Sequence, residues 1–274
     1  MDFCERTVIK EKLSIPFRNS FLDAMLFLPN SNEEKFPVIC KSHGLIASSF
    51  EKEEEFASIL NANGLAYFVF HYTGFKNSMG TPSIETSLSN LDTIISFLIN
   101  HPKIDPLNIG LYGVSLGGAL AICHCSRDPR ISAIALQAPL YDFSFMINYP
   151  GFNALKEGLF LGGFVKIPEK GIKDKLILDV RGNNPLNCIG KISPRPILII
   201  AGGKDNFIPI EGIEKLYKNA HEPKEMIVIT KADHNLTEYL VRIDVFNMIK
   251  NFFIKYLEQD FLNIAKIPND ISAH

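Results

Sequence analysis

Asn108-Ile109-Gly110-Leu111-Tyr112-Gly113-Val114-Ser115-Leu116-Gly117-Gly118-Ala119-Leu120-Ala121-Ile122-Cys123-His124-Cys125 is the stretch on which the reading of this chain turns. Asn108 to Tyr112 has the character of a short β-strand, and Gly118 to Cys125 is a run of mostly small residues suited to a helix. Between them stands the pattern G-x-S-x-G, from Gly113 to Gly117. A strand that ends in this pattern and passes directly into a helix is a nucleophile elbow. The turn is tight, so glycine at 113 and 117 lets backbone and helix approach closely. The Ser115 hydroxyl is then held up at the carboxyl edge of a sheet. The following helix aims its amino end at the reacting oxygen, where developing negative charge is stabilised.

Outward from the elbow, apolar runs of strand length alternate with amphipathic segments. Upstream, Thr7 to Ile15 and Phe21 to Leu28 read as a hairpin turning through Pro16, Arg18, Asn19 and Ser20. Val38 to Ser42 is a short buried strand ending in His43-Gly44, and Leu65 to His71 is another strand. Glu51 to Ala62 reads as a helix whose acidic start suits the positive end of its dipole. Ser83 to Asn100 carries Ile84, Leu88, Leu91, Ile94, Ile95 and Leu98 at helical spacing, and Pro102 ends it. Downstream, Ile131 to Ala138, Pro196 to Ala201 and Glu225 to Thr230 are strands. Glu211 to Asn219 is a helix, and Glu238 to Leu257 is a long closing helix with apolar Leu240, Val241, Ile243, Val245, Phe246, Ile249, Phe252 and Phe253. Strands that are apolar throughout, alternating with helices, predict an α/β fold with a mostly parallel sheet covered on both faces. No linker or repeat interrupts it, so residues 1–274 are expected to form a single domain.

Residues 140–190 break the rhythm. An unstructured loop of that length would be unusual in a compact domain, so the segment is expected to be a small helical cap inserted between two sheet strands. Its aromatic residues either fasten the cap to the body or wall an apolar pocket over the serine. Phe143, Phe145 and Tyr149 are the candidates for substrate binding.

Composition narrows the function. The chain has 274 residues, 46% hydrophobic and 21% charged, with a formal net charge of −2, enough for one large core. The charges are dispersed, so neither a basic patch for nucleic acid nor an acidic tail is expected. Met1 to Lys12 is too charged for a signal peptide, and no apolar run is long enough for a membrane span. The five cysteines, Cys4, Cys40, Cys123, Cys125 and Cys188, are not spaced as a disulfide framework, so a reducing, cytoplasmic setting is expected. Cys123-His124-Cys125 looks like a metal cluster, but residues two apart on a helix face different ways. No metal is expected there, and buried thiols are the alternative. An exposed edge strand, or the apolar cap, is a surface through which two copies could pair as a homodimer.

A serine needs a base within hydrogen-bond reach, and that base needs an orienting carboxylate. On this architecture the partners should follow later strands in the order Ser, acid, His. Asp205 qualifies as the acid, in the loop Gly202-Gly203-Lys204-Asp205-Asn206 directly after an apolar strand. A turn aspartate is the plainer reading of that position. His234 follows the last strand and precedes the closing helix, while the other histidines lack either the loop or the order. Asp233 is adjacent to His234, and neighbours in sequence rarely face each other well, so Asp205 is preferred. Two backbone N–H groups should form an oxyanion hole: Leu116, after the nucleophile, and Leu45, in the loop that follows His43-Gly44.

From His43-Gly44 through Ser115 and Asp205 to His234, the chain resembles the α/β-hydrolases. The hairpin start, the His-Gly loop and the compact cap resemble the feruloyl (cinnamoyl) esterases. Dienelactone-hydrolase-like proteins and prolyl-oligopeptidase-type catalytic domains are also similar. The resemblance implies an eight-stranded, mostly parallel sheet, and cleavage of an ester, thioester or amide without metal or organic cofactor. One loop departs from it: His71 to Gly80 keeps Gly74, Ser78 and Gly80 but lacks the acidic and arginine positions of an Asp-x-Arg-Gly-x-Gly-x-Ser pattern. The aromatic cap favours a small-molecule carboxylic ester as substrate. A serine peptidase or amidase is the rival, and an aminopeptidase would need carboxylates for the substrate amine, for which Glu157 and Asp142 are candidates. A non-catalytic scaffold is a further rival, though such proteins usually lack a member of the triad.

Overall fold

A computed structural model describes residues 8–148 and 182–257. Eight strands form one sheet: β1 (Ile9–Phe17), β2 (Ser20–Leu28), β3 (Phe36–Ser42), β4 (Ala66–Phe70), β5 (Ile104–Val114), β6 (Ala133–Gln137), β7 (Ile197–Gly202) and β8 (Lys224–Ile229). Their order is β1-β2-β4-β3-β5-β6-β7-β8. The pairs β1–β2 and β2–β4 are antiparallel and the rest parallel. The first two strands are the expected hairpin, with Arg18 at φ 52° in its turn.

Period-two alternation divides the strands between two cores. Val38 and Cys40 of β3 face one core, and Ile39 faces the other. The first core packs under α2 (Ile84–Ile99), α3 (Leu116–Cys125) and α6 (Ile210–Asn219), through Leu91, Ile95, Leu120, Ile213 and Leu216. The second packs under α1 (Glu54–Asn61) and α7 (Tyr239–Leu257), through Phe56, Leu60, Val245, Ile249 and Phe253. This is the α/β-hydrolase fold, and burial of these apolar faces is its main stabilising term. Two short helices, α4 (Phe143–Asn148) and α5 (Pro185–Cys188), flank residues 149–181. Most of the expected cap, Tyr149 and Glu157 included, therefore lies outside the described residues.

The structure revises three local expectations. The elbow strand begins at Ile104 instead of Asn108, because a bulge absorbs Pro106. Phe36 pairs Ile104 and Val38 pairs Ile109, leaving Leu107 exposed. The helix expected over Glu51–Ala62 starts as a 3-10 turn, Phe50–Glu53, and only then becomes α1. That turn swings Glu53 inward to near-complete burial instead of leaving it at the helix end. Leu240, read as part of the apolar face of the closing helix, is exposed.

Among the described residues no helix is long and apolar enough to cross a membrane. Cys40, Cys123, Cys125 and Cys188 are free and buried, and burial pushes the Cys125 thiol up to about 12.

Candidate active site

Ser115 sits between β5 and α3 with φ 52° and ψ −119°, a conformation L-residues rarely adopt. Close packing holds it there. A Cβ on Gly113 would lie 2.7 Å from the Gly118 Cα, and one on Gly117 would overlap the Ser42 carbonyl oxygen. Ser42 Oγ donates to the Gly117 carbonyl (2.7 Å) and shares a hydrogen bond with the Tyr72 hydroxyl (2.6 Å), tying the elbow to β3.

His234 comes from the loop between β8 and α7. Its Nε2 lies 3.0 Å from Ser115 Oγ, and its Nδ1 lies 2.8 Å from Asp205 Oδ2. A carboxylate can only accept, so Nδ1 carries the proton and Nε2 is free to accept the serine hydroxyl proton. Asp205 is fixed in turn, since its Oδ1 accepts the N–H groups of Phe207 (2.8 Å) and Ile208 (2.9 Å). Its side chain is 1% exposed. Asp233 points elsewhere and accepts the Thr237 N–H at 2.8 Å. The three side chains singled out from the sequence thus form one hydrogen-bonded chain across the carboxyl ends of β5, β7 and β8.

Leu45 and Leu116 both border the cavity in front of Ser115. Neither donates its N–H to a backbone carbonyl among the described residues. The orientation of the Leu45 amide is governed by His43. Its Nε2 accepts the Tyr72 N–H (3.0 Å), so Nδ1 carries the hydrogen and donates to the Gly44 carbonyl (2.7 Å). In a trans peptide, N–H and C=O point in opposite directions. Holding the Gly44 carbonyl therefore turns the Leu45 N–H the other way. Burial lowers the His43 pKa to about 3, which keeps the ring neutral and this arrangement intact. In the sequence His43 is set aside as a base and otherwise counts only as part of the loop that carries the expected donor. Its adjacency to Gly44, one residue before the expected donor, was the available signal.

The cavity has a volume of about 760 Å³. On the side of α4 its wall is apolar, with Leu140, Phe145 and Met146. Phe145, a candidate for substrate binding, lines the cavity. Phe143 does not: it is fully buried in the first core, which corrects its assignment to substrate binding. Residues two apart on this short helix face different ways, and the inward face took Phe143. On the other side, Lys41, Glu53, Tyr112 and Gln137 form a polar wall that the sequence reading did not find. The signal was a lysine inside the apolar run Val38 to Ser42.

The divergent loop His71–Gly80 is anchored both within itself and from β2. Ser78 Oγ donates to the His71 carbonyl (2.7 Å) and accepts the Asp23 N–H (2.9 Å), while Asn77 bonds the Asp23 carboxylate (3.0 Å). An aspartate of β2 thus helps hold a loop that lacks an acid of its own.

Residues 33–170 match the family model Hydrolase_4, described as serine aminopeptidase, S33. The chain is 31% identical to YfhR, an uncharacterized protein of Salmonella typhimurium, over 207 residues that cover 70% of this chain and 61% of that protein. The matched region thus spans less than two thirds of that relative's length. Among solved structures, hypothetical protein PA2218 of Pseudomonas aeruginosa superposes with a TM-score of 0.72 at 20% identity, covering 94% of this chain and 96% of that one. Est1E of Butyrivibrio proteoclasticus, solved with ferulic acid, superposes with a TM-score of 0.71 at 20% identity, covering 90% and 99%. At such identities the structural likeness speaks for the fold.

Proposed function

The chain belongs to the Hydrolase_4 family of α/β-hydrolases, and from that premise we propose that it is a serine esterase acting on small carboxylic esters. The observation that carries this is the continuous hydrogen-bonded path from Asp205 through His234 to Ser115. In the proposed reaction Ser115 Oγ attacks the ester carbonyl carbon while its proton passes to His234 Nε2. Asp205 stabilises the resulting imidazolium. The tetrahedral oxyanion accepts the N–H groups of Leu45 and Leu116. His234 then protonates the leaving oxygen, the C–O bond breaks, and water repeats the sequence on the acyl-enzyme. The single-domain organisation, with residues 140–190 as a cap over the serine, is part of the same proposal.

The peptidase reading has less support, despite the family description. Asp142, one candidate for holding a substrate amine, accepts the Ser144 N–H (2.7 Å) and an Asn184 amide hydrogen (3.0 Å). Of the carboxylates that line the cavity, Glu53 and Glu55 are paired with Lys41 and Arg242, and Glu51 is exposed.

A fluorophosphonate probe, p-nitrophenyl esters of increasing chain length and peptide anilides test the proposal together. Wild type should label at Ser115 and cleave esters in preference to anilides, and Ser115→Ala should do neither. Absence of labelling in folded protein defeats the enzyme reading, and preference for anilides defeats the ester reading.

A further inference from the structure

The polar wall of the cavity is richer in free donors than in free acceptors. Lys41 and Tyr112 are direct partners on β3 and β5, and Gln137 on β6 pairs with Val114 two residues nearer Ser115. All three side chains project from the face of the sheet that α1 and α7 cover. At about 3.3 Å per residue, Tyr112 lies roughly 10 Å along the strand from Ser115. The cavity therefore continues from the nucleophile down this face of the sheet.

Both Glu53 oxygens are engaged: Oε1 by Lys41 Nζ at 2.6 Å and Oε2 by the Tyr67 hydroxyl at 2.8 Å. Gln137 Oε1 accepts the Tyr112 hydroxyl. On the donor side, Lys41 Nζ has three hydrogens and makes one hydrogen bond among the described residues. Gln137 Nε2 makes none there. Yet the Lys41 side chain is only 14% exposed, against 31% for Arg242 at the cavity edge. A largely buried ammonium, 5.8 Å from the Tyr112 ring centroid and with two N–H bonds that have no hydrogen-bond partner among the described residues, on the same wall as a carboxamide whose N–H bonds likewise have none there, suits an acceptor that can share the cation with Glu53. Charge-assisted bonds of this kind are the strong ones.

We propose that Lys41 and Gln137 bind a carboxylate at the far end of one arm of the ester, so that the preferred substrates are carboxylate-terminated esters. This rests on the esterase reading and specifies its substrate class. The chemistry at Ser115 is unchanged, and the wall sets which ester is taken.

The test compares p-nitrophenyl hemiesters of succinate, adipate and suberate with the corresponding methyl-terminated and amide-terminated esters. A second series places the same termini on the alcohol arm of acetate esters. In one of the two series the carboxylate terminus should raise kcat/KM on the order of ten- to a hundredfold over the methyl terminus. The double variant Lys41→Met/Glu53→Gln, which removes both charges and leaves no buried carboxylate without its cation, should erase that ratio. The ratio is taken within each variant, so a general loss of activity does not enter it. Independently, free adipate or suberate should raise the Tm of wild type and not that of the double variant. No carboxylate preference in either series, preference for the neutral amide, or a preference that survives the double variant overturns the proposal. If the double variant does not fold, the wild-type ratios and the dicarboxylate Tm shift still decide. Failure of the esterase reading looks different, because no ester is then cleaved and no fluorophosphonate label appears. In that case a missing Tm shift with dicarboxylate also overturns the carboxylate site.

Discussion

The hydrogen-bonded rim at the carboxyl ends of the strands and the polar wall below it border one cavity, but they are built differently. Ser115, Asp205 and His234 stand on loops, each positioned by turns and tight packing. Lys41, Tyr112 and Gln137 stand within strands, where the backbone is fixed by the sheet and only the side chain is unusual. A change at the rim should act on every ester alike, whereas a change in the wall should act on one substrate series. On this division reaction chemistry and substrate choice should be separable, because different parts of the backbone support them.

The largest effect tests the rim. Asp205→Asn should keep both contacts with the Phe207 and Ile208 amides through its oxygen while disturbing the tautomer of His234. A loss in kcat on the order of 10⁴-fold is expected, equal for carboxylate-terminated and alkyl esters. Steady-state kinetics on the two ester types checks it. A loss confined to one type would break the separation of rim from wall.

How much could be read in advance follows the same division. The elbow was legible because its glycines are demanded by backbone contact: Gly117 packs on the Ser42 carbonyl and Gly113 on Gly118. Asp205 and His234 were legible because a loop after a strand, in a fixed chain order, leaves few competitors. A sheet covered on both faces was legible from strands that are apolar throughout and from helical spacing, whereas the division into two cores by alternation was not read. Lys41 was not found, since its strand was read by its overall apolarity and not residue by residue. Glu53 was read as a favourable charge at a helix start, and only the 3-10 turn carries it inward to Lys41 and Tyr67. Phe143 and Phe145 are chemically the same residue, and which of them faces the core depends on where α4 docks, which composition does not encode.

The next effect lies between rim and wall, at His43. In His43→Phe the Gly44 carbonyl loses its donor and the Leu45 amide its fixed direction. A fall in kcat of about a hundred- to a thousandfold is expected, as for loss of one oxyanion donor, with KM little changed. His43→Asn, which keeps a side-chain N–H, should recover part of the rate. The same residue gives a pH signature. Its pKa is about 3 in the folded protein against 6.5 as the ordinary value, because burial disfavours the cation. Below pH 6.5 the unfolded chain binds a proton that the folded chain refuses, so this contribution to stability is complete above pH 6.5 and is lost as pH falls toward 3. At pH 4 the loss is about 3 kcal/mol. Denaturant unfolding of wild type and His43→Asn between pH 4 and 7 checks the sign, since the variant should show a shallower fall. Equal slopes would mean that His43 is not held neutral.

The smallest effect concerns the apolar side of the cavity, where Phe145 borders both the cavity and the first core and Phe143 is buried in that core alone. Phe145→Ala removes cavity wall. It should raise KM for alkyl esters by about tenfold or less, the scale on which apolar pockets discriminate. Carboxylate-terminated esters should follow to the same extent, because the polar wall is untouched and the carboxylate-to-methyl ratio depends on that wall alone. Phe143→Ala is the control that separates shape from stability. It empties a site in the first core and should cost about 3 to 5 kcal/mol of unfolding free energy. Its KM should remain that of wild type wherever the protein is folded. Denaturant titration and ester kinetics on the pair decide the matter. A KM change in Phe143→Ala at full folding would return Phe143 to the cavity wall. A carboxylate-to-methyl ratio that moves in Phe145→Ala would mean that the two sides of the cavity select their substrates together.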